Sequence, residues 1–326
     1  MTRTSALNAL GVALALGLAA VAMGYRPADH RSPRDRQEGG ADARPPLRFR
    51  TLATGGRGLV DARGHTVPLR HYRRIVAGST VARALLYELC EPDRIAGIVR
   101  YGLDRAPDSH RYAGKPTIES IEDVEAILSL HPDLVLVNSI ASLDRVARLR
   151  DAGLDVFDLG QMLGLATLIP NIHAVGALVG HPDQARRYAE AFVARMRGVA
   201  ADIPIELRKR GMYISIYGDR MLGGTAGTSY GDVLTHAGLL DAAAGRFHGW
   251  PQYSGEDVLA VDPDVIVTKL GMGAVLCRHP GLDQLRPCRH DRRGIVELPP
   301  GLVGDPGPGM LDTAEAIRRE LYPFNE

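Results

Sequence analysis

Short apolar runs alternate with helical stretches over most of the chain. After Arg74 the run Ile75-Val76-Ala77-Gly78 is apolar without a break, as in a strand buried on both faces, and behind Ser79 and Thr80 the residues Val81, Leu85, Leu86 and Leu89 recur at helical spacing up to Cys90. Ile95 to Val99, Leu134 to Val137 and Val156 to Leu159 read as further buried strands, with a helix from Ser142 to Asp151 between the last two. Strand, helix, strand in this order predicts a parallel sheet covered by helices. Upstream, Leu59 to Leu69 reads as two short extended pieces around Arg63-Gly64, a hairpin that opens the fold. From Leu168 to Val199 the pattern is helical, interrupted only at Gly180-His181-Pro182. The piece from Pro182 onward is expected to exceed twenty residues, too long for a crossover within one sheet. A second series follows: a strand over Met212 to Tyr217, a helix near Tyr230 to Ala237, a strand over Val265 to Thr268 and a last helix over Asp312 to Leu321. The expected fold is α/β: two α/β lobes with central parallel sheets joined by one long helix. Residues 47–167 form the first lobe, 168–203 the helical connection and 204–326 the second lobe.

One segment occurs twice. Glu125 to Val137 aligns without a gap on Glu256 to Thr268, with Glu, Leu, Pro and Asp identical at four positions. Asp123 and Ser254, good N-caps, stand two residues before each Glu, so both carboxylates fall in a first helical turn. The Pro-Asp pair then ends the helix and starts a buried strand. Two copies imply two related lobes and not a solenoid.

The N-terminus changes the compartment. Arg3, an apolar run from Ala9 to Met23 and the small residues Ala22 and Gly24 read as a secretory signal over residues 1–24. Fifteen apolar residues span roughly 22 Å as a helix, short of the roughly 30 Å hydrocarbon core. The first cysteine is Cys90, so no lipoprotein cysteine follows the run. Residues 25–46, rich in Arg, Asp, Pro and Gly, are expected to be a flexible linker. The mature chain is expected to be a soluble periplasmic monomer. Lys and Arg (39) nearly cancel Asp and Glu (38), and a net charge of +1 offers no footprint for nucleic acid. Cys277 and Cys288 sit in matching Cys-Arg-His tripeptides, with His279 and His290. Three readings stand: a disulfide, as an oxidising compartment favours, a Cys2His2 metal site serving metal binding or an enzyme, or two unpaired thiols. Cys90, closing an apolar helix, reads as a buried free thiol.

In open α/β sheets ligands bind beyond the carboxyl ends of strands. In the first lobe this selects Ser79 and Thr80, Arg100 and Tyr101, and, in the polar loop that follows, His110 and Tyr112. In the second lobe it selects Tyr217 and the Gly223 to Tyr230 loop, whose glycines and hydroxyls suggest a tight turn that caps a helix at Thr228 or Ser229; Tyr230 is the ligand candidate there. Trp250, the single tryptophan, lies in Gly249-Trp250-Pro251-Gln252-Tyr253, where a loop would offer Trp250 and Tyr253 to a broad ligand. No catalytic signature accompanies them and no cofactor is implied, so an enzyme is not expected.

Taken together these segments resemble the class III periplasmic binding proteins of ABC importers for cobalamin, ferric siderophores and haem. The likeness rests on Asp61 to Val67, Arg74-Ile75-Val76 before a capped helix, the paired Glu and Pro-Asp segments, the long helical connection and Pro306-Gly307-Pro308-Gly309. It implies two lobes on a rigid helix with the ligand in the cleft between them, and a membrane permease with its ATPase as partners. In cobalamin-binding members a Tyr and a Trp at the places of Tyr101 and Trp250 touch the corrin, and glutamates at the places of Glu125 and Glu256 dock on the permease. For a haem ligand the resemblance offers Tyr101, His110 or Tyr112 as the axial group.

Overall fold

The computed structural model describes residues 47–105, 109–138, 141–289, 294–303 and 306–323, all within one compact unit that starts at Pro45. The expected signal (1–24), the linker (25–46) and His290 lie outside the described residues. Among the described residues no helix is long and apolar enough to cross a membrane.

The chain opens with a three-stranded antiparallel sheet, β1 (Phe49–Thr51), β2 (Arg57–Val60) and β3 (Thr66–Pro68). β2 and β3 are the expected hairpin. The first lobe follows as β4 (Ile75–Ala77), α1 (Thr80–Leu89), β5 (Ile95–Val99), β6 (Thr117–Ile118), α2 (Val124–Ser129), β7 (Leu134–Val137), α3 (Leu143–Asp151) and β8 (Asp155–Asp158). Its five strands run parallel in the order β6-β5-β4-β7-β8. Ser79 caps α1 by accepting from Ala82 N at 3.1 Å, and Val81, Leu85, Leu86 and Leu89 are buried on the sheet side.

The helical connection is α4 (Leu165–Val179) and α5 (Pro182–Gly198). Gly180, at φ 89°, ends α4 in the left-handed region that glycine enters without strain, and Pro182 starts α5 at a position where its missing N–H is not needed. At 17 residues, α5 is shorter than the sequence pattern predicts. The carbonyls just past its C-terminus are taken by two arginines, one remote in sequence and one near: Arg318 Nε donates to Val199 O at 3.1 Å and Arg208 Nη2 to Ala200 O at 3.1 Å. The chain turns there and does not continue the helix. Ala185, Ala189, Phe192 and Met196 form the buried stripe of α5, and a β-carbon on Gly176 of α4 would stand 2.2 Å from that of Ala185, so the two helices cross at closest approach through small residues.

The second lobe contains β9 (Arg210–Tyr217), β10 (Arg220–Gly223), α6 (Ser229–His236), β11 (Leu240–Asp241), β12 (Gln252–Tyr253), α7 (Gly255–Val261), β13 (Val265–Lys269), α8 (Gly273–Leu276), β14 (Ile295–Leu298), α9 (Pro300–Val303) and α10 (Met310–Leu321). The central strands β9, β13 and β14 are parallel. The edge is not: β10 folds back on β9 through Gly218-Asp219 and pairs with β12, both antiparallel, which the sequence pattern did not indicate.

The doubled segment is doubled in three dimensions. Among the described residues, His131 and Asp262, at matching positions, are the non-glycine residues with positive φ, 47° and 44°. Each precedes a proline that disfavours the right-handed helical region for the residue before it. The following aspartates do the same work: Asp133 accepts from Arg73 N and Arg74 N at 2.7 and 2.9 Å, and Asp264 accepts from Arg210 N at 2.8 Å. The guanidinium of Arg74 reaches Leu130 O and that of Arg210 reaches Val261 O, closing each helix end onto the first strand of its own lobe.

The lobes are also tied through the start of α4. Its N-cap, Gly164 at φ 79°, has no side chain, and Asp232 of α6 supplies the acceptor instead, taking Leu165 N at 2.6 Å. A β-carbon on Gly164 would stand 2.1 Å from Asp232 Oδ2. Burial raises the Asp232 pKa above the ordinary carboxylate value. The folded chain therefore holds this proton to higher pH than the unfolded chain does, and the Asp232 contribution to stability falls as pH rises between the two values. Asp232→Asn keeps an acceptor and removes the desolvated charge, so urea unfolding at several pH values from 4 to 7 is expected to show a flatter profile than the parent. Asp232→Ala loses the cap and is expected to destabilise by about 0.5–2 kcal/mol.

Candidate functional site

Between the two lobes lies a cleft of about 940 Å³, floored by α5 through Tyr188, Ala191, Phe192 and Arg195. Its first-lobe wall is built on α1 and the loop after β5. Thr80, Arg83 and Glu88 of α1 line it, with Arg100, Tyr101 and Glu119 beside them. Arg83 was not selected from sequence, yet it organises the wall. It is 5% exposed, and its Nη1 donates to Val99 O at 2.8 Å and Tyr101 O at 3.1 Å. It thereby fixes the turn that leaves the Tyr101 ring 78% exposed over the cleft. The Arg83 guanidinium also lies 5.1 Å from the Tyr112 ring centre, and Tyr112 meets Tyr87 edge to face at 4.8 Å. Arg111 continues this ladder, 4.5 Å over Tyr87 and 2.7 Å from Glu88. The signal for Arg83 was present: a charge on the otherwise apolar face of a capped helix needs a buried partner.

The second-lobe wall carries Tyr217, Tyr230 and Lys269. Tyr217 ends β9 and Lys269 ends β13, so both stand where the strand-end rule points, although Lys269 went unselected. The Lys269 ammonium donates to Tyr217 Oη at 2.5 Å and holds that phenol below its ordinary pKa. Tyr230 stacks on the buried Tyr213 at 3.7 Å, and Trp250 meets Tyr230 edge to face at 5.2 Å while remaining half exposed. Burial raises the Tyr230 pKa far above its usual value. The loop carrying Pro308 and Gly309, with Asp312 at the start of α10, completes the wall.

Of the ten residues selected from sequence as ligand contacts, Thr80, Arg100, Tyr101, Tyr112, Tyr217 and Tyr230 are brought together on the lining. Trp250 adjoins it through Tyr230. Ser79 is a buried helix cap, His110 is exposed on a short turn outside the lining, and Tyr253 faces the core. Tyr253 is turned inward by the two-residue alternation of β12: Gln252 is exposed, and the Tyr253 ring packs on Gly223 and on Phe247 at 5.1 Å.

The charges of the cleft are largely matched. Arg100 pairs with Glu119, Arg111 with Glu88, and Arg195 with Glu315 at 3.0 Å. An electrically quiet cleft with aromatic faces grips a broad ligand by contact area and leaves orientation to a few polar groups.

Glu125 and Glu256 lie outside the lining. Both are exposed in the first turns of α2 and α7, and neither pairs with a cation among the described residues. Cys277 and Cys288 are joined in a disulfide across 11 residues, which removes the thiolates that a Cys2His2 site would need. Among the described residues no group of three or more His, Cys, Asp or Glu is arranged to hold a metal ion. Cys90 is a buried free thiol whose pKa burial pushes up to about 11.

Comparison with known proteins agrees with this architecture. An uncharacterized ABC transporter substrate-binding lipoprotein of Bacillus subtilis, YvrC, is 25% identical over 211 residues, covering 62% of this chain and 65% of the relative. A cobalamin-binding protein of Halobacterium salinarum is 29% identical over 199 residues, covering 60% of this chain and 53% of the relative. The chain thus spans between about half and two thirds of the length of the curated relatives it matches. Among solved structures, the periplasmic haem-binding protein RhuT of Roseiflexus sp. RS-1 shares the fold with a TM-score of 0.64 at 23% identity, over 76% of this chain and 98% of that one. Residues 75–285 match the family model described as periplasmic binding protein, and the chain belongs to that family.

Proposed function

We propose that the chain is the extracytoplasmic substrate-binding protein of an ABC importer. In this reading it is exported by its N-terminal signal and works in the periplasm as a monomer without catalysis. It captures a cobalamin-like or iron-chelate ligand between its lobes and delivers it to a permease and ATPase through Glu125 and Glu256. The observation that carries the reading is the cleft itself: about 940 Å³ of space over α5, walled by Tyr101 on one side and by Tyr217, Tyr230 and the adjoining Trp250 on the other. That volume is at the upper end of small-molecule pockets and suits a ligand broader than a sugar or an amino acid. The relative named for cobalamin binding supports the corrinoid half of the proposal.

One contact favours haem as a second reading. Tyr217, with its pKa lowered by Lys269, presents a phenol ready to bind ferric iron as phenolate, and tyrosinate is a known haem ligand. Of the sequence candidates for the axial group, Tyr112 is buried beside Arg83 and His110 stands off the lining, which leaves Tyr101 and adds Tyr217.

Trp250 is the single tryptophan and touches Tyr230 of the cleft lining edge to face, so its fluorescence is expected to report on occupancy. Titration with cyanocobalamin, haemin and a panel of ferric siderophores is expected to give saturable quenching by at least one of them. Silence toward all of them removes the ligand class. If haemin is the ligand, its complex shows a Soret band that shifts in Tyr217→Phe; an unchanged band assigns the iron elsewhere.

A further inference from the structure

The two lobes differ in what supports each copy of the doubled segment. In the first lobe α2 packs beside α3, a helix of nine residues. In the second lobe the chain leaving β13 forms only the four-residue α8, and the place of a long helix is taken by the loop closed by Cys277 and Cys288. That loop holds α7 at both ends. At the N-terminal end, the imidazole of His279 lies against Gly255, its Cε1 3.4 Å from where a β-carbon would stand, directly before Glu256. At the C-terminal end, Arg286 donates to Asp262 O and Oδ2, both at 3.1 Å, and pairs with Asp264. Between them Leu282 and Leu285 share a buried cluster with Val258 and Val261 of α7. His279 is two residues after Cys277 and Arg286 two residues before Cys288, so the bond fixes both clamps at once.

We propose that the Cys277–Cys288 disulfide sets the position of α7 and Glu256, so that docking on the permease, and not ligand capture, is sensitive to thiol reductants. The inference rests on Glu256 being a docking residue. None of Cys277, His279, Arg286 or Cys288 lines the cleft, which separates the two activities in space. Reduction by a dithiol is balanced chemistry: a thiolate of the reductant attacks one sulfur, the S–S bond breaks, and the second thiol closes the reductant into a cyclic disulfide while both cysteines leave as thiols.

The test compares the full chain with Cys277→Ser/Cys288→Ser and with the chain reduced by dithiothreitol. Three quantities are read: affinity for whichever of cyanocobalamin and haemin quenches Trp250, affinity for the nanodisc-embedded permease–ATPase complex of the source organism, and amide hydrogen exchange over α2 and α7. Losing a positioned interfacial charge predicts docking weaker by about tenfold or more. Ligand affinity is expected to stay within about twofold, since the cleft is remote from the loop. Exchange accelerates over Gly255–Val261 and stays unchanged over Val124–Ser129. In the Cys→Ser background Glu256→Ala adds no further loss of docking, whereas Glu125→Ala does. Unchanged docking in the Cys→Ser variant, in a system where Glu256→Ala alone weakens it, overturns the proposal. So does a parallel loss of ligand affinity, which would make the loop a support of the whole lobe. If Glu256→Ala alone leaves docking intact, the docking reading itself falls and this inference with it.

Discussion

Replacing Glu125 and Glu256 together with alanine is expected to abolish uptake while ligand affinity stays within about twofold of the parent, as for surface changes remote from a site. Neither carboxylate lines the cleft, and each occupies a first helical turn that keeps its own cap, Asp123 on Ala126 N at 3.0 Å and Ser254 on Asp257 N at 3.1 Å. Loss of the favourable interaction with the helix N-terminus costs about 0.3–1 kcal/mol each, which leaves the fold intact. On a permease presenting a cation to each lobe the balance differs, since truncating one partner of a desolvated interfacial pair costs about 2–5 kcal/mol. Each single variant is therefore expected to weaken docking by at least about tenfold, and the pair to remove it, because the two sites sit on separate lobes and add. Uptake of labelled ligand by cells carrying the variants, beside Trp250 titration of the purified proteins, measures both halves. A double variant that loses ligand affinity places the carboxylates in the service of the cleft, and one that transports normally ends the docking assignment.

The sequence carried what is written in local chemistry. The doubled segment reads directly because a cap, a first-turn carboxylate and a Pro-Asp stop lie within fourteen residues of one another, and all three reappear in both lobes, the cap and the aspartate with corresponding hydrogen bonds. What was not legible depends on partners far along the chain. The end of α5 is set by Arg318, 119 residues from Val199, and the order of the second sheet by β10 and β12, too short to show a period. Candidate contacts divide along the same line. Tyr101 and Tyr217 follow strands whose ends face the cleft, and a rule about strand ends finds them. Tyr253 shares a loop with Trp250 in sequence, but one step of strand alternation puts it on the opposite face. Arg83 escaped because its partners are the carbonyls of a neighbouring strand and loop, whereas Lys269, directly after the expected strand Val265 to Thr268, is a residue to which the strand-end rule points and which went unselected.

The largest stability effect is expected at Asp61, far from the cleft. Its side chain is completely buried and accepts from Arg63 N at 2.9 Å, His65 N at 2.8 Å, Asp158 N at 3.3 Å and Arg150 Nη2 at 2.9 Å. Two of these donors form the turn between β2 and β3, and two belong to the first-lobe elements α3 and β8, so one carboxylate fastens the opening hairpin to the sheet edge. Asp158, equally buried, pairs with Arg63 and accepts from Gly160 N at 2.8 Å, making a network of two acids and two arginines. Asp61→Ala leaves buried donors without an acceptor and Arg150 without its partner, the circumstance in which breaking a buried pair costs about 3–5 kcal/mol. For a chain of this size that corresponds to a fall in Tm of roughly 10 °C. Asp61→Asn retains one acceptor oxygen for the turn and gives up the charge, so its loss is expected to lie between the parent and Asp61→Ala. Thermal melts followed by circular dichroism give the ranking, and Trp250 titration well below the melt is expected to return unchanged ligand affinity. A shift below about 2 °C for Asp61→Ala would mean that water replaces the carboxylate at little cost, and that the hairpin is held by the pairing of Val60 and Ala62 with their neighbours and not by charge.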